Sequence, residues 1–268
     1  PFAQVFAMTW KPWHIIAALP PEQTIRLPDQ DIGLTSTGLR ASARARPAPS
    51  VPLQEVVVEG TALKATSTQG WTLGMGSLVF AIRADNSQTG DNNQTADNNQ
   101  TAAYDIGLNA LALAPDAAFL AAVQAQSDLP PEVEVIRADL TARLSAPLDR
   151  MAGETRPTLT GLDVKEVLVT WGTLSILAKG QIEPDAGGFA SGRVEIEVTN
   201  WQRLIPLLIV TGAVKPEVAP TVENMMAAMA KQGGTPDVLK LPLTLASGRM
   251  SLGPLPLGPA PMLLPPTN

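Results

Sequence analysis

The chain has 268 residues, 45% of them hydrophobic and only 16% charged, enough to bury a core as one large all-β domain or two smaller ones. A formal charge of -6 and a pI near 4.9 argue against a nucleic-acid surface, because phosphate recognition rests on clustered Lys and Arg. The absence of cysteine excludes disulfide frameworks, thiolate metal sites and cysteine nucleophiles together.

The opening stretch PFAQVFAMTW already reads as a strand at residue 1, so a signal sequence or anchor is expected to precede it. Next comes His14, the single histidine, in TWKPWHII. No Gly-x-Ser-x-Gly elbow, phosphate loop or metal-spaced ligand cluster accompanies it, and a half-buried strand histidine is the better reading than a triad base. No enzyme activity, cofactor or metal is expected. In LRASARARP, Arg40, Arg44 and Arg46 alternate with Leu39, Ala41, Ala43 and Ala45, the pattern of a strand with one wet and one dry face. EVVVEGTALKATST and GSLVFAIRAD continue the series, the second with apolar residues on both faces over 78–82.

Residues 86–102 break the pattern. DNNQTA repeats at Asp91 and Asp97, with DNSQTG at Asp85 as a weaker copy, in a stretch too polar to offset its ordering entropy. The expectation is an exposed, mobile hairpin loop lengthened by duplication, between strands that end near Asp85 and resume near Tyr104. Loop closure costs rise only logarithmically with length, so deleting the repeat should leave the melting temperature nearly unchanged. A loss of several degrees in a thermal melt would overturn that reading. Asn93 and Asn99 match the N-x-Thr acceptor pattern, a frequent accidental match.

Beyond the repeat, AAYDIGLNALALA reads as a strand and PDAAFLAAVQAQ as a short helix over 115–126. In IRADLTARL, Ile136, Ala138, Leu140 and Leu144 oppose Arg137, Asp139, Thr141 and Arg143. EVLVTWGTLSILAKGQI reads as strand, apolar on both faces over 167–177. GRVEIEVTNW sets Val194, Ile196 and Val198 against Arg193, Glu195 and Glu197. Asn200 then caps a short helix with Pro206 kinking it or in its first turn, and a further helix over 216–231 runs from a threonine cap to a glycine stop. Its Met225, Met226 and Met229 have helical spacing and read as core packing rather than as a flexible binding face.

The ending, SGRMSLGPLPLGPAPMLLPPTN, pairs as an edge strand up to about Leu252, after which prolines 254, 256, 259 and 261 remove amide donors. Leu252, Leu255, Leu257, Met262 and Leu263 are expected to bury their side chains, making 254–268 an extended cover over a sheet edge. These elements predict a mainly β fold: a large curved antiparallel meander with two or three short helices, in a single domain over 1–268.

The entry segment PFAQVFAMTWKPWHIIAALPPEQTIRLPDQDI, the block GRVEIEVTNWQRLIPLL and the ending LPLTLASGRMSLGPLPLGPAPML resemble domain-of-unknown-function family 2125, an uncharacterised envelope family of Gram-negative bacteria. In that family a segment similar to W-x-P-x-x-I follows a strand that is absent here, so the resemblance also implies a missing beginning. The ending is similar, more loosely, to the style of AsmA-like envelope proteins associated with phospholipid traffic. The asparagine repeat departs from both, and neither supplies catalytic residues. The resemblance implies a periplasmic domain tethered to the inner membrane by an N-terminal segment.

Two functions from different classes follow. The first is a non-enzymatic module that binds lipid or another hydrophobic ligand on an apolar sheet face, with Leu78, Phe80, Ile82, Trp171 and Leu177 as its lining. The second is an accessory subunit whose apolar faces dock on a membrane protein complex. The two part on whether those side chains lie open or under the helices at 115–126 and 216–231.

Overall fold

A computed structural model describes residues 3–8, 11–85 and 102–264. The period-two stretches form strands throughout: β1 (Gln4–Met8), β2 (Lys11–Leu19), β3 (Glu22–Arg26), β4 (Asp31–Thr35), β5 (Gly38–Ala45), β6 (Leu53–Ser67), β7 (Thr72–Ala84) and β8 (Ala102–Ala114). Then come β9 (Val133–Leu144), β10 (Leu159–Trp171), β11 (Leu174–Pro184), β12 (Ala190–Thr199), β13 (Val238–Ala246), β14 (Arg249–Leu252) and β15 (Leu255–Pro259). All fifteen belong to one open antiparallel sheet, in the order β1-β2-β5-β6-β7-β8-β9-β10-β11-β12-β13-β14-β15, with the β3–β4 hairpin joined through β4 to β6. From β5 onward each strand pairs antiparallel with the next in sequence, so no crossover is needed; short turns join β10 to β11 and β13 to β14, while longer connections after β8, β9 and β12 carry helices. β7 ends and β8 begins close to the expected positions; the repeat between them lies outside the described residues.

β6 is long enough to pair with two strands laid end to end, β5 along its first half and β4 along its last four residues. β2 and β3 likewise follow one line, interrupted at Pro20 and Pro21, whose missing amide donors end the ladder there. Alternation along β6 slips at Ala62, which has a positive φ of 49°. Leu63 thereby falls over Gly60, where an added Cβ would stand 2.8 Å from Leu63 Cδ1, so only glycine fits.

EVLVTWGTLSILAKGQI is not a single strand. Trp171 pairs with Leu174 across a two-residue turn at Gly172, whose φ is +59°, and the segment is a β10–β11 hairpin. Leu177 sits six residues from Trp171 and would share its face in a continuous strand, but the turn puts it on the opposite one.

Three helices of seven residues or more, α1 (Ala117–Gln124), α3 (Leu204–Val210) and α4 (Ala219–Gln232), gather at one end of the sheet; α2 (Ala152–Thr155) is a single turn. Asp116 caps α1 by accepting from the Ala118 amide at 2.9 Å. α4 starts before Thr221, with Pro220 in its first turn, where a missing N–H costs nothing. Asn200 is no side-chain cap; it adopts a left-handed conformation and donates to the Thr173 carbonyl at 2.7 Å, while Pro206 lies in the first turn of α3. Val123, Ile205, Val222 and the fully buried Met226 close over Trp171, Leu174, Val198 and Leu239, so the methionine stripe includes core packing. Trp201 completes this core and donates from its indole to the Pro236 carbonyl at 2.9 Å.

Asp116 also ties the helix to the sheet, taking the Thr72 amide at 3.0 Å, and these N–H donors, Thr72 first, hold its carboxyl below the ordinary range. Its folded pKa lies below the unfolded value of about 3.9, so its stabilisation is complete above that pH and is lost as pH falls through the folded value. Asp116→Ala should melt below the unsubstituted chain at about pH 7, and the gap should narrow at about pH 3. A gap that widens in acid would contradict this assignment.

The C-terminal segment ends as an edge strand later than expected. β15 pairs with β14 and carries Pro256 and Pro259, admissible because its outer side has no neighbour in the sheet. Beyond it, the Ala260 amide donates to Gly248 and the Leu263 amide to Gly188, carrying the tail across the ends of β11 to β14. Ala260 and Leu263 cover Ile182, Leu243, Leu245 and Met250. Leu252 and Leu255 pack against the main core, whereas Leu257 and Met262 are exposed, correcting the expectation that both are buried.

Candidate functional site: a one-sided apolar sheet face

Antiparallel pairing puts directly opposed residues on the same face, so the registers join the alternating strands into rows. One row runs Ile15, Ala43, Val56, Ile82, Ile106, Leu140 and Val164, then Gly180, Val194 and Leu243. A second runs Val5, Ala17, Ala41, Val58, Phe80, Leu108, Ala138, Val167, Ala178 and Ile196 to Leu241. A third contains Leu19, Leu39, Gly60, Leu78, Ala110, Ile136, Val169, Ile176, Val198 and Leu239. No polar side chain interrupts any of the three.

The intervening positions face the other way and carry the charge. Glu55 accepts from Arg44 and Arg83 at 2.9 and 3.1 Å. Arg143 binds Asp163 at 2.6 Å and Glu183 at 2.8 Å. A bulge in β10 presents Lys165, which reaches Asp105 at 2.8 Å; that bond, with one from Thr141, holds the Asp105 carboxyl below its ordinary range. Solvent-accessible pairs such as these, several of them half-buried, stabilise little, but they keep that face polar.

Burial on the apolar face is graded along the first two rows, whereas in the third Leu39 and Ala110 are already buried. In the first row exposure falls from 45% at Ile15 to 5% at Val194, and in the second from 63% at Val5 to 2% at Leu241. Helices and tail cover the β10–β14 side; the rows over β1 to β8 have no comparable cover in either buried cluster. Leu78, Phe80 and Ile82 lie there together on β7, half-buried and outside both clusters. Trp171 lies under the helices, its indole donating to the Pro130 carbonyl at 2.7 Å, and Leu177 faces the charged side opposite Glu197. The structure therefore brings three of the five expected residues together and separates the other two. It adds Val56, Val58, Ile106 and Leu108, whose alternation was visible but whose adjacency needs the strand registers.

His14 lies on the charged face, half-buried, with Nε2 2.9 Å from Ser42 Oγ. The residue directly opposite it is Arg44, a cation where a triad would need a carboxylate. Among the described residues no group of three or more His, Asp or Glu side chains is placed to hold a metal ion, and no helix is long and apolar enough to cross a membrane.

This geometry defines an open antiparallel sheet with one continuous apolar face and one charged face. The chain belongs to the bacterial family described as uncharacterized protein conserved in bacteria (DUF2125), which it matches over residues 1–261. The match bears out the first resemblance drawn from the sequence and does not extend to the AsmA-like one. Neither a curated protein nor a solved structure matches the chain.

Proposed function

We propose that this chain is a non-enzymatic envelope module that holds lipid or another long-chain amphiphile along the uncovered rows of its apolar face, on the periplasmic side. The observation that carries the reading is the unbroken run of apolar positions from β2 to β8. Four interstrand steps of about 4.8 Å give a lane of roughly 19 Å, against about 15 Å for the hydrocarbon of one bilayer leaflet. Each methylene removed from water contributes about 0.8 kcal/mol before association costs, so an acyl chain lying along the lane suffices for retention.

The test is purification without detergent, followed by organic extraction and mass spectrometry. An enriched amphiphile is expected, and Phe80→Ser with Leu108→Ser should reduce its occupancy several-fold while leaving circular dichroism unchanged. An empty face in the unsubstituted protein would overturn the reading. If native mass spectrometry then showed a stoichiometric protein partner, the accessory-subunit function would take its place.

A further inference from the structure

The connection from β9 to β10, residues 145–158, is a closed loop that carries α2. Its neck is pinned where the Ser145 amide donates to the Thr158 carbonyl and the Thr158 amide to Ser145 Oγ, both at 2.9 Å. From there the loop crosses β8 and β7 to reach β6. The Leu148 amide donates to Tyr104 Oη on β8 at 2.7 Å, and the Leu148 carbonyl accepts from the Leu53 amide, at the start of β6, at 2.7 Å. The Arg150 amide donates to the Ser50 carbonyl at 3.0 Å. Tyr104 fixes the side on which the loop crosses. It stands two residues from Ile106 on the same strand, so it belongs to the apolar face, in a row with Ala84 and Ala142 that runs beside Ile82, Ile106 and Leu140. Tyr104 is only 3% exposed, whereas Ile82 and Ile106 beside it are half-buried.

Every residue from 145 to 158 is half-buried or exposed, so lifting the loop uncovers Tyr104 but opens neither buried cluster. Strained backbone stands at both of its ends. Val51, a β-branched residue, holds a φ of 51° in the turn that receives the loop, and Arg156 holds 47° beside the neck. Resting on the ligand reading above, we propose that residues 145–158 are the displaceable cover of the amphiphile: the loop lifts from Ser50 and Leu53, an acyl chain enters the Tyr104 row, and the loop closes over it. On the open rows one side of a hydrocarbon chain stays wet, whereas under the loop both sides leave water, and that added burial favours retention. The groups parted on lifting are main-chain amides and carbonyls and one phenol, all of which water can satisfy. Leu148 and Met151, the latter 37% exposed, give the loop apolar side chains to lay against the ligand.

A reversible lock tests it. The chain has no cysteine, so Ser50→Cys with Arg150→Cys offers a single disulfide, between backbones already joined by a hydrogen bond. Exchange of a pyrene-labelled fatty acid is followed by fluorescence in the oxidised, reduced and unsubstituted chains. The locked form should take up and release the probe about tenfold more slowly, and reduction should restore the rate. Tyr104→Phe, which removes one attachment of the loop, should release the probe faster than the unsubstituted chain does. Binding with equal rates in the oxidised and reduced forms would overturn the cover alone, as would slower release from Tyr104→Phe. If no form takes up the probe, the unsubstituted chain included, the ligand reading fails and the cover with it.

Discussion

Trp201→Ala is expected to lower unfolding free energy by about 3–5 kcal/mol, a large part of the 5–15 kcal/mol typical of a native protein. Trp201 is only 2% exposed and sits where α3 leaves β12, packed with Val198, Ile205 and Leu239. Its removal leaves a cavity that helices anchored on both sides cannot fill, and strands the Pro236 carbonyl it now satisfies. Trp201→Phe keeps most of the volume and should cost visibly less. Denaturant melts measure both, and a loss under about 1 kcal/mol for the alanine variant would show that the helical end is not the stable part of the molecule.

Truncation after Gly253 is expected to cost about 3 kcal/mol and to lower solubility. It removes half-buried Leu255 and Leu263 and buried Ala260, and uncovers Leu245, now 3% exposed. It also strips β14 of its outer neighbour and frees carbonyls at Gly188 and Gly248. Leu257→Ser and Met262→Ser, both in the removed segment but exposed, should each change stability by less than about 0.5 kcal/mol. If the two point substitutions cost as much as the truncation, the division of labour within the tail would be wrong.

Much of the fold was legible in the sequence because period-two patterns are local. Val194, Ile196 and Val198 against Arg193, Glu195 and Glu197 divide between the faces of β12 as their alternation predicts, and the same holds along β5 and β9. What stayed hidden depended on turns and registers. WGT reads as a continuation of a strand until Gly172 is seen to turn the chain, and that turn separates Trp171 from Leu177 by a whole sheet thickness. Prolines at 256 and 259 suggested irregular chain because a proline excludes a central strand; an edge strand tolerates them, and nothing local reveals which strand is last. The candidate surface was legible only in its β7 portion. Leu78, Phe80 and Ile82 announce an apolar strand, but the rows that include Val56, Ile106 and Leu140 depend on the exact register between consecutive strands, which alternation within one strand does not set.

The next-neighbour order of the strands has a further consequence for how the molecule opens. Each strand from β6 to β14 is held mainly by the one before and the one after it, so the sheet behaves as a linear array whose stability is a sum of neighbouring interfaces. Such an array frays from its weaker end without unfolding as a unit. With buried clusters concentrated over β10 to β14, amide hydrogen exchange should slow progressively from β1 toward β12. A hairpin inserted between β7 and β8 would lengthen the apolar lane by about 10 Å without repacking the helical end.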